Sequence, residues 1–232
     1  MSDIVVYKYL KEGFEQPPLL NASVGVNANL NWEIVGTNAA NAGSTFAAGG
    51  GLNLATAGAN NDQIIVVPHQ DAVQTWIAAS GVWNTDRSLV LRWQFRTVAS
   101  IATMTICMGV RSLNTLQSGA NALATTTDAD AFLVRYAAAD GVALAATTAI
   151  GNTDTTTPIT TTTVNTTYDI VWRMRADRTG TVYVNGDPVL ATAAMTASTS
   201  LGVPFFGIQA NSAAVKNVRL LAMEVGLIPT SD

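Results

Sequence analysis

Few side chains in this sequence are equipped for chemistry. The only histidine is His69, in Val67-Pro68-His69-Gln70-Asp71. A serine-type triad needs a nucleophile on a strained turn and an oriented base, and the sequence has no Gly-x-Ser-x-Gly run. His69, following Pro68 at the end of an apolar run, reads as a surface histidine. The four glutamates are Glu12, Glu15, Glu33 and Glu224. Glycoside hydrolysis uses two carboxylates flanking the scissile bond, and no Glu-x-Asp-x-x-Glu strand motif supplies them. With no acid–base pair identifiable, the sequence predicts a chain without enzymatic activity and without catalytic residues.

The remaining options concern metals, phosphates and thiols. Asp128 and Asp130 lie two apart, with Asp140 or Asp154 as further oxygen donors of the kind calcium prefers. They read as a solvated Thr/Asp loop, so neither a metal nor a cofactor is expected. Gly49-Gly50-Gly51 lacks the Lys-Ser/Thr of a phosphate cradle. Cys107, between Ile106 and Met108, reads as a small buried hydrophobe. A single cysteine excludes a disulfide framework within the chain.

Arginine stands out, with nine Arg against three Lys. Arg92, Arg96, Arg111, Arg135, Arg173 and Arg175 all fall in strand-like runs. Alternation puts Arg92 and Arg96 on one face, and Arg173 and Arg175 likewise. Arginine's planar, weakly hydrated fork suits ordered interfaces. The pattern reads as a sheet face that meets a partner or, equally, as the ordinary polar outer face of a sandwich.

The elements that must position these residues are strands. In 87–98, Leu89, Leu91, Trp93 and Phe95 alternate with Val90, Arg92, Gln94 and Arg96. In 168–176, Ile170, Trp172 and Met174 alternate with Val171, Arg173 and Arg175. Further strands are predicted over 64–67, 103–111, 131–137, 142–148, 181–185, 203–210 and 215–225. Asp177-Arg178-Thr179-Gly180, Asn185-Gly186 and Asp140-Gly141 supply tight turns between them, with Gly180 a candidate for positive φ. The 30 threonines favour strand over helix. About a dozen strands with short connections predict an all-β antiparallel sandwich or jelly roll. Val182 and Val184 join the core-facing set. Residues 38–61 are rich in Asn, Ala and Gly, and 145–167 is nearly a threonine tract, read as extended edge structure.

A length of 232 residues fits one large domain, divided here as an extended N-terminal arm over 1–30 and a sandwich over 31–232. The charged share is 12%, half the usual figure of about 25%. A net charge of −4 argues against nucleic acid as a partner. No apolar run approaches the length of a membrane span, and the first twenty residues lack signal-peptide features. The expectation is a chain made in the cytoplasm and used without secretion. The arm alternates through Val5, Tyr7 and Tyr9, then carries Phe14 and Pro17-Pro18. Such a segment gains stability on a sheet edge, and it is expected to fasten the subunit to a sister copy or to a surface beneath.

The run 167–186, with its strand, Asp/Gly turn and strand ending in Asn185-Gly186, resembles the concanavalin A-like jelly roll of lectin and glucanase domains. Phe205-Phe206-Gly207-Ile208 and Lys216-Asn217-Val218-Arg219-Leu220 resemble its closing strands. Similar domains occur in tailed-bacteriophage structural proteins, including capsid decoration or cement proteins. The resemblance implies a non-enzymatic virion protein on the capsid surface. Its partners would be the major capsid protein and sister subunits in a homo-oligomer, with a trimer as one option. The partner-binding candidates are Val5, Tyr7, Tyr9, Phe14, Arg92, Arg96, Arg173 and Arg175. The alternative is a carbohydrate-binding module of a phage tail or fibre. Its aromatic platform would come from Trp76, Trp83 or Tyr183.

Overall fold

A computed structural model describes residues 8–12, 19–20, 32–68, 88–98, 100–112, 123, 130–141, 143–150, 153–195 and 202–228. In chain order the strands are β1 (Lys8–Glu12), β2 (Leu19–Leu20), β3 (Trp32–Val35), β4 (Ser44–Phe46), β5 (Leu52–Ala55) and β6 (Gln63–Pro68). Next come β7 (Ser88–Thr97), β8 (Met104–Ser112), β9 (Asp130–Ala137), β10 (Ala143–Ile150) and β11 (Thr153–Thr161). The chain then forms β12 (Thr167–Met174), β13 (Gly180–Val184), β14 (Asp187–Thr192), β15 (Gly202–Ala210) and β16 (Asn217–Ile228). Among the described residues no helix is long and apolar enough to cross a membrane.

The strands form two eight-stranded sheets packed face to face. Sheet A runs β14-β13-β12-β7-β16-β5-β4, with β1 also on β16; sheet B runs β11-β10-β9-β8-β15-β6-β3-β2. All pairings are antiparallel except β2 with β3. This is the predicted antiparallel jelly-roll sandwich. Its core is built from the apolar half of each alternation. Leu89, Leu91, Trp93 and Phe95 of β7 meet Ile170, Trp172 and Met174 of β12, all essentially buried. From sheet B, Phe132 stacks on Trp172 with centroids 4.1 Å apart, and Phe206 packs on Phe95.

The turns follow their sequences, with one reassignment. Asn185 and Gly186 both take positive φ, at 52° and 93°, as a two-residue hairpin turn requires. In the turn before β13, positive φ falls on Arg178 rather than on Gly180. Asp177 holds that turn by accepting from the Thr179 amide and hydroxyl, which keeps its carboxyl below its ordinary pKa. Gly180 is needed for another reason: a Cβ there would collide with the Trp172 indole nitrogen. The polar stretch 38–61 contains β4 and β5. The threonine tract forms β11, the edge of sheet B, as its composition predicts.

Two pieces of the span 1–30 belong to these sheets. β1 pairs with β16 from Lys8↔Leu227 to Glu12↔Met223, beyond the segment of β16 that pairs with β5. Leu19 and Leu20 pair with Glu33 and Ile34 of β3. The backbone of Lys8–Glu12 is thus held by a strand of its own chain. Val5, Tyr7 and Phe14 lie outside the described residues, as does the side chain of Tyr9.

Candidate functional site

The outward face of sheet A collects the predicted arginines. Strand alternation turns Arg92 and Arg96 away from the core on β7, and Arg173 on β12. Arg175 follows β12, exposed, with its guanidinium 3.4 Å from the Thr179 hydroxyl. Register adds residues distant in sequence. Arg92 lies opposite Val171 and Glu224, Gln94 opposite Asp169, and Val171 opposite Tyr183.

Arg92 is the centre of this face. Its Nε and Nη2 donate to the two Asp169 oxygens at 2.8 Å each, and its Nη1 donates to Glu224 Oε1 at 3.1 Å. The Asp169 hydrogen bonds, with the charges of Asp169 and Glu224, raise the pKa of the Arg92 guanidinium against the opposing effect of burial. The side chains of Arg92, Asp169 and Glu224 are 32%, 26% and 11% exposed, so Glu224 is nearly enclosed while Arg92 and Asp169 keep part of their surface within reach of a ligand. Beside it, Arg173 sits over the Tyr183 ring, 5.2 Å from its centroid, a cation–π contact. Together these groups offer an aromatic ring, hydrogen-bond donors and two carboxylates.

The outward face of sheet B is different. Ile65, Val67, Cys107, Leu133, Val203 and Phe205 form a second buried cluster, closed by Leu123 from the β8–β9 connection. Glu33 and Arg111 are buried in this layer, and Arg135 opposes Cys107 in register. Burial raises the Cys107 thiol to about 12, although Arg111 and Arg135 act the other way. Cys107 is therefore the buried hydrophobe its sequence predicts. At the end of this face Gln63 donates to Gln209 at 2.7 Å, and Gln209 to Asn211 at 3.1 Å. His69, Asp128, Trp76 and Trp83 lie outside the described residues, and Asp154 is exposed on β11. Among the described residues no group of three His, Cys, Asp or Glu could hold a metal ion.

The fold is one shared with glucanases and lectin-type domains. A LamA variant from Z. galactanivorans, solved with laminaritriose and laminaritetraose, matches with a TM-score of 0.64 at 6% identity, over 96% of this chain and 100% of its own. The Bacillus licheniformis beta-glucanase matches with a TM-score of 0.58 at 8% identity, covering 94% and 97%. The Emp47p carbohydrate recognition domain matches with a TM-score of 0.56 at 11% identity, covering 92% and 95%. At these identities the likeness is one of fold, and it bears out the concanavalin A-like jelly roll. No protein family and no curated protein matches the chain in sequence.

These neighbours correct the expectation of a chain without enzymatic activity, because glucanases are built on this sandwich. The expectation rested on the lack of a contiguous acidic motif. Carboxylates also come together from separate strands here: Asp169 of β12 and Glu224 of β16 reach the same guanidinium. Sequence reasoning missed Asp169 because it sits alone in an apolar strand. Its one signal was its place on the same alternation as Arg173.

Proposed function

We propose that this chain is a glycan-recognising jelly-roll domain and that the sugar lies on the open face of sheet A. One observation carries the reading. Tyr183, the one described member of the predicted aromatic platform, shares that face with the Arg92–Asp169–Glu224 cluster. Sugar recognition combines a flat apolar surface with a few oriented polar groups. Tyr183 and Val171 supply the surface, and the carboxylates and guanidinium supply the groups. Exposed Arg173 caps the ring and is free to turn aside for a ligand. The carbohydrate-recognising and glucanase neighbours support the same reading at the level of fold.

The test is glycan-array binding followed by titration calorimetry. Tyr183→Ala and Arg92→Met should each weaken binding at least tenfold, and unchanged binding in both would remove the site from this face. Incubation with glucans asks whether a bound chain is cut. Shortening that is lost in Asp169→Asn and Glu224→Gln would make those carboxylates catalytic.

A second reading is a virion decoration protein that binds the major capsid protein and sister subunits at the capsid surface. It is favoured by β11, a nine-residue threonine-rich strand that forms the edge of sheet B among the described residues, since such an edge accepts a strand from another chain. Electron micrographs of undecorated capsids mixed with the protein would test it, and bare shells would dismiss it.

A further inference from the structure

On the open face of sheet A two guanidiniums have no carboxylate partner among the described residues. Arg96 of β7 and Arg219 of β16 are register partners, side by side on adjacent strands. Arg96 is exposed and Arg219 half-buried. Among the described residues neither guanidinium makes a hydrogen bond or an ion pair, and Arg219 Nε is buried without an acceptor. Their other register partners, Thr167 and Asn53, are neutral. Gly49 borders the pair: a Cβ there would stand 3.6 Å from Arg219 Nη1, so this position presents no side chain to the guanidinium.

This arrangement has a cost. Like charges directly opposed across a strand pair destabilise it, and a buried donor left unsatisfied adds to that. Four residues along the same strand, Arg92 receives two carboxylates. The chain has 16 acidic residues and a net charge of −4, so anions are not scarce. Two adjacent planar forks, one exposed and one half-buried, match the oxygens of a carboxylate or sulfate.

We propose that Arg96 and Arg219 form an anion subsite, and that the glycan bound on this face is acidic, presenting a carboxylate or sulfate group to the pair. The inference rests on the glycan-binding reading and names its substrate class. At about 3.3 Å per residue, Arg96 lies about 13 Å from Arg92 along β7. An oligosaccharide along that strand would meet the arginine pair with an acidic group, and the Arg92 cluster with its hydroxyls.

The experiment measures binding of three probes to the full chain by calorimetry: a polyuronate, a sulfated galactan and a neutral β-glucan. Each is tested on the wild type, Arg96→Gln, Arg219→Gln and Tyr183→Ala. The expected result is preference for an acidic probe, with roughly tenfold weaker binding for each arginine substitution, the loss of one charge-assisted contact. Which acidic probe binds separates carboxylate from sulfate. Thermal melts of the same proteins give a second readout. Without ligand, Arg96→Gln should melt no lower than wild type, because it relieves repulsion; a merely structural arginine would lower the melting point.

Neutral glucan bound as tightly as the acidic probes, with loss only in Tyr183→Ala, overturns the anion subsite and keeps the glycan reading. Binding to none of the probes overturns both. Self-association abolished by the arginine substitutions, without glycan binding, overturns both in favour of an interface between proteins.

Discussion

The outward faces of the two sheets were built by opposite rules. In sheet A, β12 and, from Leu89 onward, β7 alternate between buried and more exposed positions, and their outer positions carry arginine, Asp169 and Val171. In sheet B, every residue of β6 is buried, and the outer positions of β8, β9 and β15 pack beneath Leu123. A strand with one solvated face must alternate, while a strand covered on both faces reads as a continuous apolar run. Ile64-Ile65-Val66-Val67 is such a run. The difference separates recognition from stability. The open face can change its side chains without unfolding the sandwich, and the closed face cannot.

The most severe way to break both faces together is through the core they share. Trp172→Ala removes the ring that stacks on Phe132 between the sheets and should cost roughly 3–5 kcal/mol. Urea unfolding would show this as a lower midpoint. A smaller change separates the faces. Leu133→Ala, in the closed layer of sheet B, should cost about 2–4 kcal/mol. Val171→Ala, on the open face, should cost under about 1 kcal/mol. Equal losses would show that sheet A is covered as well.

The pH dependence sharpens the same contrast. The Cys107 thiol rises from 9.0 to about 12 in the fold, so the folded state keeps a proton that the unfolded state loses. Stability should therefore fall as pH rises from 9 towards 12, by about 1 kcal/mol at pH 10. Cys107→Ala should lack that component, as melts of the two proteins at pH 8 and pH 10 would show. A similarly small effect is expected at the open cluster. Arg92→Met should cost about 1 kcal/mol, since Arg92 and Asp169 remain partly exposed to water. A loss near that of Leu133→Ala would mean the cluster is a structural tie.

Most of the fold was legible in the sequence because two-residue periodicity is a local property. The alternation in β7 and β12, the Asn185-Gly186 hairpin and the threonine edge each follow from neighbours along the chain. Short strands were not legible: β4 and β5 span three and four residues, β5 is held by β16, and β4 is held in turn by β5. The glycine of the Asp177–Gly180 turn was noticed, but its reason was not. Only the packed structure shows that Trp172 occupies the space where a side chain would stand.

The candidate site divides the same way. The sequence by itself determined that the chain is a β-sandwich and that Arg92, Arg96 and Arg173 turn away from its core. Tertiary structure alone decided which of them are neutralised. Asp169 and Glu224 reach Arg92 from 77 and 132 residues away, while Arg96 is set against a second arginine. Periodicity fixes the side of a strand on which a charge emerges. Its neighbour across the sheet is set by strand order and register, which depend on contacts distant in sequence.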